Sequence, residues 1–113
     1  MAESGLFGPH PLTQAGVDAA VKGVGPGAYA LGNVDAQGVF RIHYVGRSDT
    51  DVNGRLNTHV PKAYTHFKYA FYSTPKDAYL KECRLYHDFS PPDNEIHPAA
   101  PEGTYASCPV CGA

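Results

Sequence analysis

Glu82 lies in a segment whose apolar residues fall on one helical stripe. At about one hundred degrees per residue, Ala78, Tyr79, Leu85, Tyr86 and Phe89 all sit within about sixty degrees of it. Carboxylates are almost never fully buried unless paired or metal-bound. Glu82 therefore stands either on the floor of a cleft or locked to a buried arginine, for which Arg55 is the candidate. Arg55 and His59, at i and i+4, share one helical face. They bring a permanently charged fork for phosphate oxygens and an imidazole able to relay protons or bind phosphate. Each has a plainer explanation, since a helix arginine or histidine taken alone is commonly a solvated surface residue. Tyr29 and Tyr44 add phenols, for which ordinary strand packing competes in a chain with eight tyrosines. Asn94, in Pro92-Asp93-Asn94, suits a turn.

A second stripe on the same helix, Leu80, Cys83 and His87, faces away from Glu82 and needs cover. Cys83 and His87 present two ligands one turn apart, and Cys108-Pro109-Val110-Cys111 forms a two-cysteine knuckle. Together they make a Cys3His set suited to structural tetrahedral Zn2+, with His97 as an alternative fourth ligand. The competing explanation is a core cysteine, a solvent histidine and a loose tail. Three cysteines cannot all pair in one disulfide set, so the knuckle reads as metal or redox chemistry before a disulfide.

Several elements must position these groups. The first ten residues, with Gly5, Gly8 and Pro9, read as a loose tail. Thr13 caps a short helix over Gln14 to Lys22, ended by Gly23, Gly25, Pro26 and Gly27. Ala28 to Val34 and Val39 to Arg47 read as a hairpin, with Phe40, Ile42 and Tyr44 alternating on one face, which puts Tyr29 and Tyr44 on neighbouring strands. Asp49 or Thr50 caps a helix from Asp51 to about Val60, stopped by Pro61. Phe67 to Tyr72 reads as a third strand. Thr74, Pro75 and Asp77 announce the longest helix, ending near Phe89. From Ser90 the chain is Pro-rich and irregular.

Gly27-Ala28-Tyr29 and Tyr44-Val45-Gly46 resemble the paired tripeptides of the GIY-YIG nuclease superfamily. Arg55, His59, Glu82 and Asn94 match its remaining polar positions in order, over roughly Val24 to Asn94. Histidine four residues after the arginine is similar to the GIY-YIG restriction enzymes. The fourteen residues between the tripeptides exceed the family's usual gap, which a longer hairpin loop around Asp35-Ala36-Gln37-Gly38 accommodates. The resemblance implies an α/β (α+β) domain, a small three-stranded antiparallel sheet flanked by helices, with its core at about residues 24–94 and a tail at 95–113. It implies a divalent-metal-dependent endonuclease in which Tyr29, Tyr44, Arg55, His59, Glu82 and Asn94 are catalytic. Glu82 would ligate Mg2+ or Mn2+, ions that keep several waters and need few protein ligands. Arg55 and Arg47 would hold phosphate, and one tyrosine would help activate the attacking water. Tyr44 is assigned that role, with Tyr29 and His59 as alternatives. A free phenol titrates near 10, so Arg55 or the metal must favour the phenolate. Asn94 would hold a tyrosine or phosphate in place. The rival is a non-catalytic, zinc-stabilised module that binds nucleic acid or protein on the same fold. It has no need of all six polar positions.

At 113 residues and 42% hydrophobic content the chain is read as a single domain, large enough for one core and too small to add a separate DNA-reading module. Specificity would come from loops, a partner protein or a homodimer. The net charge of −2 argues mildly against nucleic acid, but Val39 to Arg84 carries eight basic residues against four acidic, so the candidate catalytic block is basic and the ends acidic. Nucleic acid is the expected partner, DNA before RNA. No apolar run approaches membrane-spanning length and the start lacks a charged n-region and an apolar h-region, so a soluble, cytoplasmic protein is expected.

Overall fold

Alternating residues on either side of Asp35 form the expected hairpin in the computed structural model, which describes residues 5–23, 25–58, 64–89 and 91–94. β2 (Gly27–Val34) and β3 (Phe40–Ser48) pair antiparallel. Asp35 organises their loop: its carboxylate accepts from the Gln37 N–H at 2.9 Å and the Val39 N–H at 3.0 Å, and pairs with Arg41 Nε at 2.9 Å. Gly38 turns the chain at φ 79°, a region that costs a residue with a Cβ.

β4 (His66–Phe71) pairs with the other side of β2, and β1 (Phe7–Pro11) pairs with β4, giving an antiparallel sheet in the order β1-β4-β2-β3. The sheet therefore has four strands, not the three expected. Glycine and proline made the start read as loose. Buried Leu6 and Leu12 instead anchor a short edge strand at both ends, and Pro9 falls where the register shifts between Phe7 and His10. An edge position with a register shift tolerates proline's missing N–H.

The helices follow their caps. Thr13 accepts from the Gly16 N–H at 2.9 Å and starts α1 (Gln14–Ala20), two residues shorter than expected. The cap of α2 (Val52–Asn57) is Asp51, not the expected Asp49 or Thr50: Asp51 accepts from the Gly54 N–H at 3.1 Å, while Ser48 Oγ accepts from the Asp51 N–H at 2.8 Å. Thr58 ends α2; the expected extension to Val60 lies outside the described residues. Thr74 accepts from the Asp77 N–H at 3.1 Å ahead of α3 (Pro75–Phe89), whose limits match expectation. Such caps contribute about 1 kcal/mol each.

The sheet separates two apolar layers. On one face Val17 of α1 and Val52 and Leu56 of α2 pack against Tyr29, Leu31 and Phe67. On the other, Leu85 of α3 packs against Ala28, Ala30, Val45 and Ala70. The alanines, all buried, let the long helix lie close to the strands.

The register between β2 and β3 shifts once: Leu31 pairs with Tyr44, but the next residue, Gly32, pairs with Ile42. His43 is the extra residue, a β-bulge, and residues beyond a bulge change faces. Phe40, Ile42 and Tyr44 consequently do not share one face as their alternation predicted. Phe40 and Ile42 pack toward α3, whereas Tyr44 joins Tyr29 on the opposite face. The bulge lies on an edge strand, and Asp93 and Asn94 clasp it. The Asp93 N–H donates to His43 O at 2.9 Å. The Asn94 side-chain amide takes both backbone polar groups of Val45, accepting from its N–H at 2.7 Å and donating to its carbonyl oxygen at 2.9 Å.

Replacing Asn94 with alanine should strip two part-buried backbone groups of their partner and destabilise the fold by about 1–3 kcal/mol. Urea denaturation should show a lower midpoint at unchanged slope. An unmoved midpoint would mean that the clasp does not hold the edge.

Candidate active site

The two Gly/Tyr tripeptides meet because Tyr29 pairs with Gly46 across β2 and β3. The Tyr29 ring lies over Gly46, where an added Cβ would come 2.6 Å from both the ring Cζ and the hydroxyl oxygen. Gly27 is equally constrained: a Cβ there would collide with Ala70 O of β4 and with Val52 at the start of α2. The glycines set how closely strand, ring and helix approach, and so fix where the Tyr29 hydroxyl emerges.

That hydroxyl emerges into a cleft of about 360 Å³ lined by Tyr29, Tyr44, Gly46, Arg47, Ser48, Asp49, Arg55 and Glu82. Glu82, the one charged residue in the buried set among the described residues, reaches the cleft from α3. Both alternatives for it hold at once, because it sits in the cleft and is paired with an arginine. The arginine is Arg47, not Arg55. Arg47 Nη1 donates to Glu82 Oε1 at 2.7 Å, and Arg47 Nε donates to Asp49 Oδ1 at 2.7 Å. The Arg47 guanidinium also lies 5.3 Å from the centre of the Tyr79 ring, a cation–π distance. Only 13% of the Arg47 side chain and 11% of the Glu82 side chain are exposed, so this pair is far better shielded than a surface bridge.

Arg55, exposed on α2, hydrogen-bonds the Tyr29 hydroxyl. That bond, with the nearby Tyr44 and Glu82, holds the guanidinium firmly in its charged form. Burial acts more strongly on Tyr29 and pushes its pKa well above the ordinary phenol range, although Arg55 pulls the other way. Tyr29 is thus a protonated phenol at neutral pH. Its chemistry is to accept from Arg55 and orient it, and abstracting a proton from water is a poor role for it.

Five of the expected site residues converge in the cleft: Tyr29, Tyr44, Arg47, Arg55 and Glu82. Asn94 does not line it. Its amide is spent on the Val45 backbone, and it borders a separate cavity with Tyr86, His87 and Pro91. His59, the proton-relay candidate, lies outside the described residues, as do three zinc candidates, Cys108, Cys111 and His97. The other two, Cys83 and His87, are on α3, Cys83 wholly buried beside Tyr79. Among the described residues no three of His, Cys, Asp and Glu gather as a metal cage. The residue that spacing left out is Asp49, a second carboxylate in the cleft. An Arg47-x-Asp49 spacing at a strand end puts both side chains on one side, which was the available signal.

Comparison with known protein families, curated proteins and solved structures gives no match to this chain. No helix among the described residues is long and apolar enough to cross a membrane.

Tyr64 resembles Tyr29 electrostatically: burial, followed by its 2.6 Å hydrogen bond to Asp93, pushes its pKa up to about 12. Unfolded phenols lose their protons near 10 and these folded ones only higher. The stability they contribute is therefore complete below a pH of about 10 and declines as pH rises from there toward the folded values. Thermal melts from about pH 8 to 12, read with phenolate absorbance, should show a shallower decline for Tyr29→Phe than for the parent. Equal slopes would remove Tyr29 from this account.

Proposed function

We propose that the chain is a divalent-metal-dependent endonuclease of the GIY-YIG kind, hydrolysing nucleic-acid phosphodiesters, with DNA favoured by its restriction-enzyme-like residues. The observation that carries this reading is the cleft itself. Two phenols, two guanidiniums and a carboxylate from four separate elements converge there, around glycines that leave no room for a side chain. Packing alone does not require that set.

Phosphodiester hydrolysis needs an activated water, stabilisation of developing negative charge and a departing oxygen. Arg55 presents its charge at an exposed wall and Arg47 from a shielded one, so a phosphate between them meets two fixed cations. Because Tyr29 is held protonated and bonded to Arg55, water activation is assigned to Tyr44, with His59 as the alternative base. The residues present suit Mg2+ or Mn2+. Two carboxylates, Glu82 and Asp49, line the cleft, and such ions take one or two carboxylates and keep waters. At roughly 30 Å³ per water, the cleft has room for on the order of ten. An ion held by Glu82 would supply positive charge to the phosphoryl oxygens and acidify a bound water. Arg47 and Arg55 are balanced by Asp49 and Glu82, so cation and phosphate together suit the site better than either alone.

Purified protein with Mg2+ or Mn2+ should cut DNA, and Glu82→Gln and Arg55→Ala should each lower kcat/KM by about a hundredfold or more with circular dichroism unchanged. Single-stranded, double-stranded and branched DNA and RNA all surviving intact would favour the binding module instead. Cutting that persists in Glu82→Gln would exclude this mechanism.

We further propose structural Zn2+ at Cys83, His87, Cys108 and Cys111, on the ligand spacing and the buried position of Cys83 on α3. Protein purified without chelators should carry about one equivalent of zinc. Loss of the metal in His97→Ala but not in His87→Ala would transfer the fourth ligand, and metal-free protein would end the idea.

A further inference from the structure

We propose that Asp49 is a positioning residue for phosphate binding: it fixes the Arg47 guanidinium so that its remaining N–H edge is presented to a phosphodiester in the cleft. The inference rests on the nuclease reading for the identity of the ligand, but its geometry stands separately.

Arg47 is held from three directions. Asp49 Oδ1 takes Nε, Glu82 Oε1 takes Nη1, and the Tyr79 ring lies under the plane. A guanidinium has more N–H donors than these two bonds use, and among the described residues Nη2 has no hydrogen-bond partner. Among those residues, too, no buried side-chain nitrogen or oxygen lacks one. Nη2 therefore opens to solvent, and the opening beside Arg47 is the cleft. Glu82 alone would leave the guanidinium free to pivot about a single bond. Asp49 is the second fixed point. It is 39% exposed at the side chain, so its contribution lies in direction more than in strength, and the orientation it imposes is paid for before the ligand arrives.

Asp49 also governs charge. Without it Arg47 would satisfy itself on Glu82, and the carboxylate needed for a cation would be drawn further into the ion pair. Shared between two carboxylates, Arg47 draws less heavily on Glu82 and keeps a donor edge of its own.

The test uses Asp49→Ala, which removes the acceptor, and Asp49→Asn, which keeps an oxygen for Nε–H without the charge. Dimethyl phosphate, a phosphodiester without a base, is titrated with Mg2+ present while the Arg47 guanidinium resonances are followed by NMR. In the parent the Nε–H signal should persist and the Nη signals should shift with ligand. In Asp49→Ala the Nε–H signal should be lost to exchange and the apparent Kd should rise at least about fivefold, the worth of one ordinary hydrogen bond. Asp49→Asn should fall between the two, and it carries the test if the alanine variant does not fold. In cleavage assays KM should rise by a similar factor while kcat changes less than about twofold. A variant that melts earlier but binds dimethyl phosphate like the parent would reduce Asp49 to a structural contact and overturn the proposal. If the parent cuts no nucleic acid, the nuclease reading falls, and the dimethyl phosphate titration still decides Asp49.

Discussion

Much of the arrangement depends on one irregular step in an edge strand. The bulge at His43 turns Tyr44 away from the α3 layer and onto the face that carries Tyr29, while Val45 and Arg47 beyond it keep the α3 side. Were the same residues to alternate regularly with no bulge, every side chain from Tyr44 onward would exchange faces. Tyr44 would be pressed against α3, and Arg47 would be carried away from Glu82. An outer strand has no neighbour to hold such a step. The turn at Pro91 to Asn94 supplies one, lending its own backbone and an amide to His43 and Val45. A residue whose position in the sequence suggested chemistry is therefore used here to hold the strand that carries Tyr44 and Arg47.

The cleft concentrates charge without accumulating it. Two guanidiniums and two carboxylates share one small space, and each arginine has a distinct anchor: Arg47 on acids, Arg55 on a neutral phenol. Their exposures differ accordingly. Arg47 is shielded and fixed at three points, whereas Arg55 stands at the mouth and is guided by one. Deleting a partner of a shielded charge costs more than the bond itself was worth, because the orphaned charge remains. Changes around Arg47 will thus lower stability as well as alter the site, while changes at Arg55 act mainly on the site.

Local signals were readable wherever local physics decides. The start of α3 follows from Thr74 and Pro75 and the hairpin from alternation around Asp35, both matters of a few neighbouring residues, while the cap of α2 falls at Asp51 and not at Asp49 or Thr50. The convergence of Tyr29, Tyr44, Arg55 and Glu82 was legible through their joint order in the chain. What was not legible came from distant pairing. β1 was hidden because Gly8 and Pro9 break the pattern that announces a strand, and only the β4 edge makes a strand of it. The bulge leaves no mark in the alternation of Phe40, Ile42 and Tyr44, since it is defined by the partner strand. Arg55 was the arginine candidate for a buried pair with Glu82, yet β3 delivers Arg47 to the α3 face and Arg55 approaches from the other layer. Asp49 read as a helix cap and not as a site residue for the same reason, as its importance lies in its bond to Arg47.

The packing of Tyr29 on Gly46 makes the two tripeptides a single packing unit. The ring of one occupies the space that a side chain in the other would need. A sequence drifting at Gly46 must first surrender the ring at Tyr29, and a smaller residue at Tyr29 leaves a hollow that a methyl group at Gly46 can fill. Substitutions at the pair should therefore be strongly epistatic, with the double change tolerated better than the sum of the single ones.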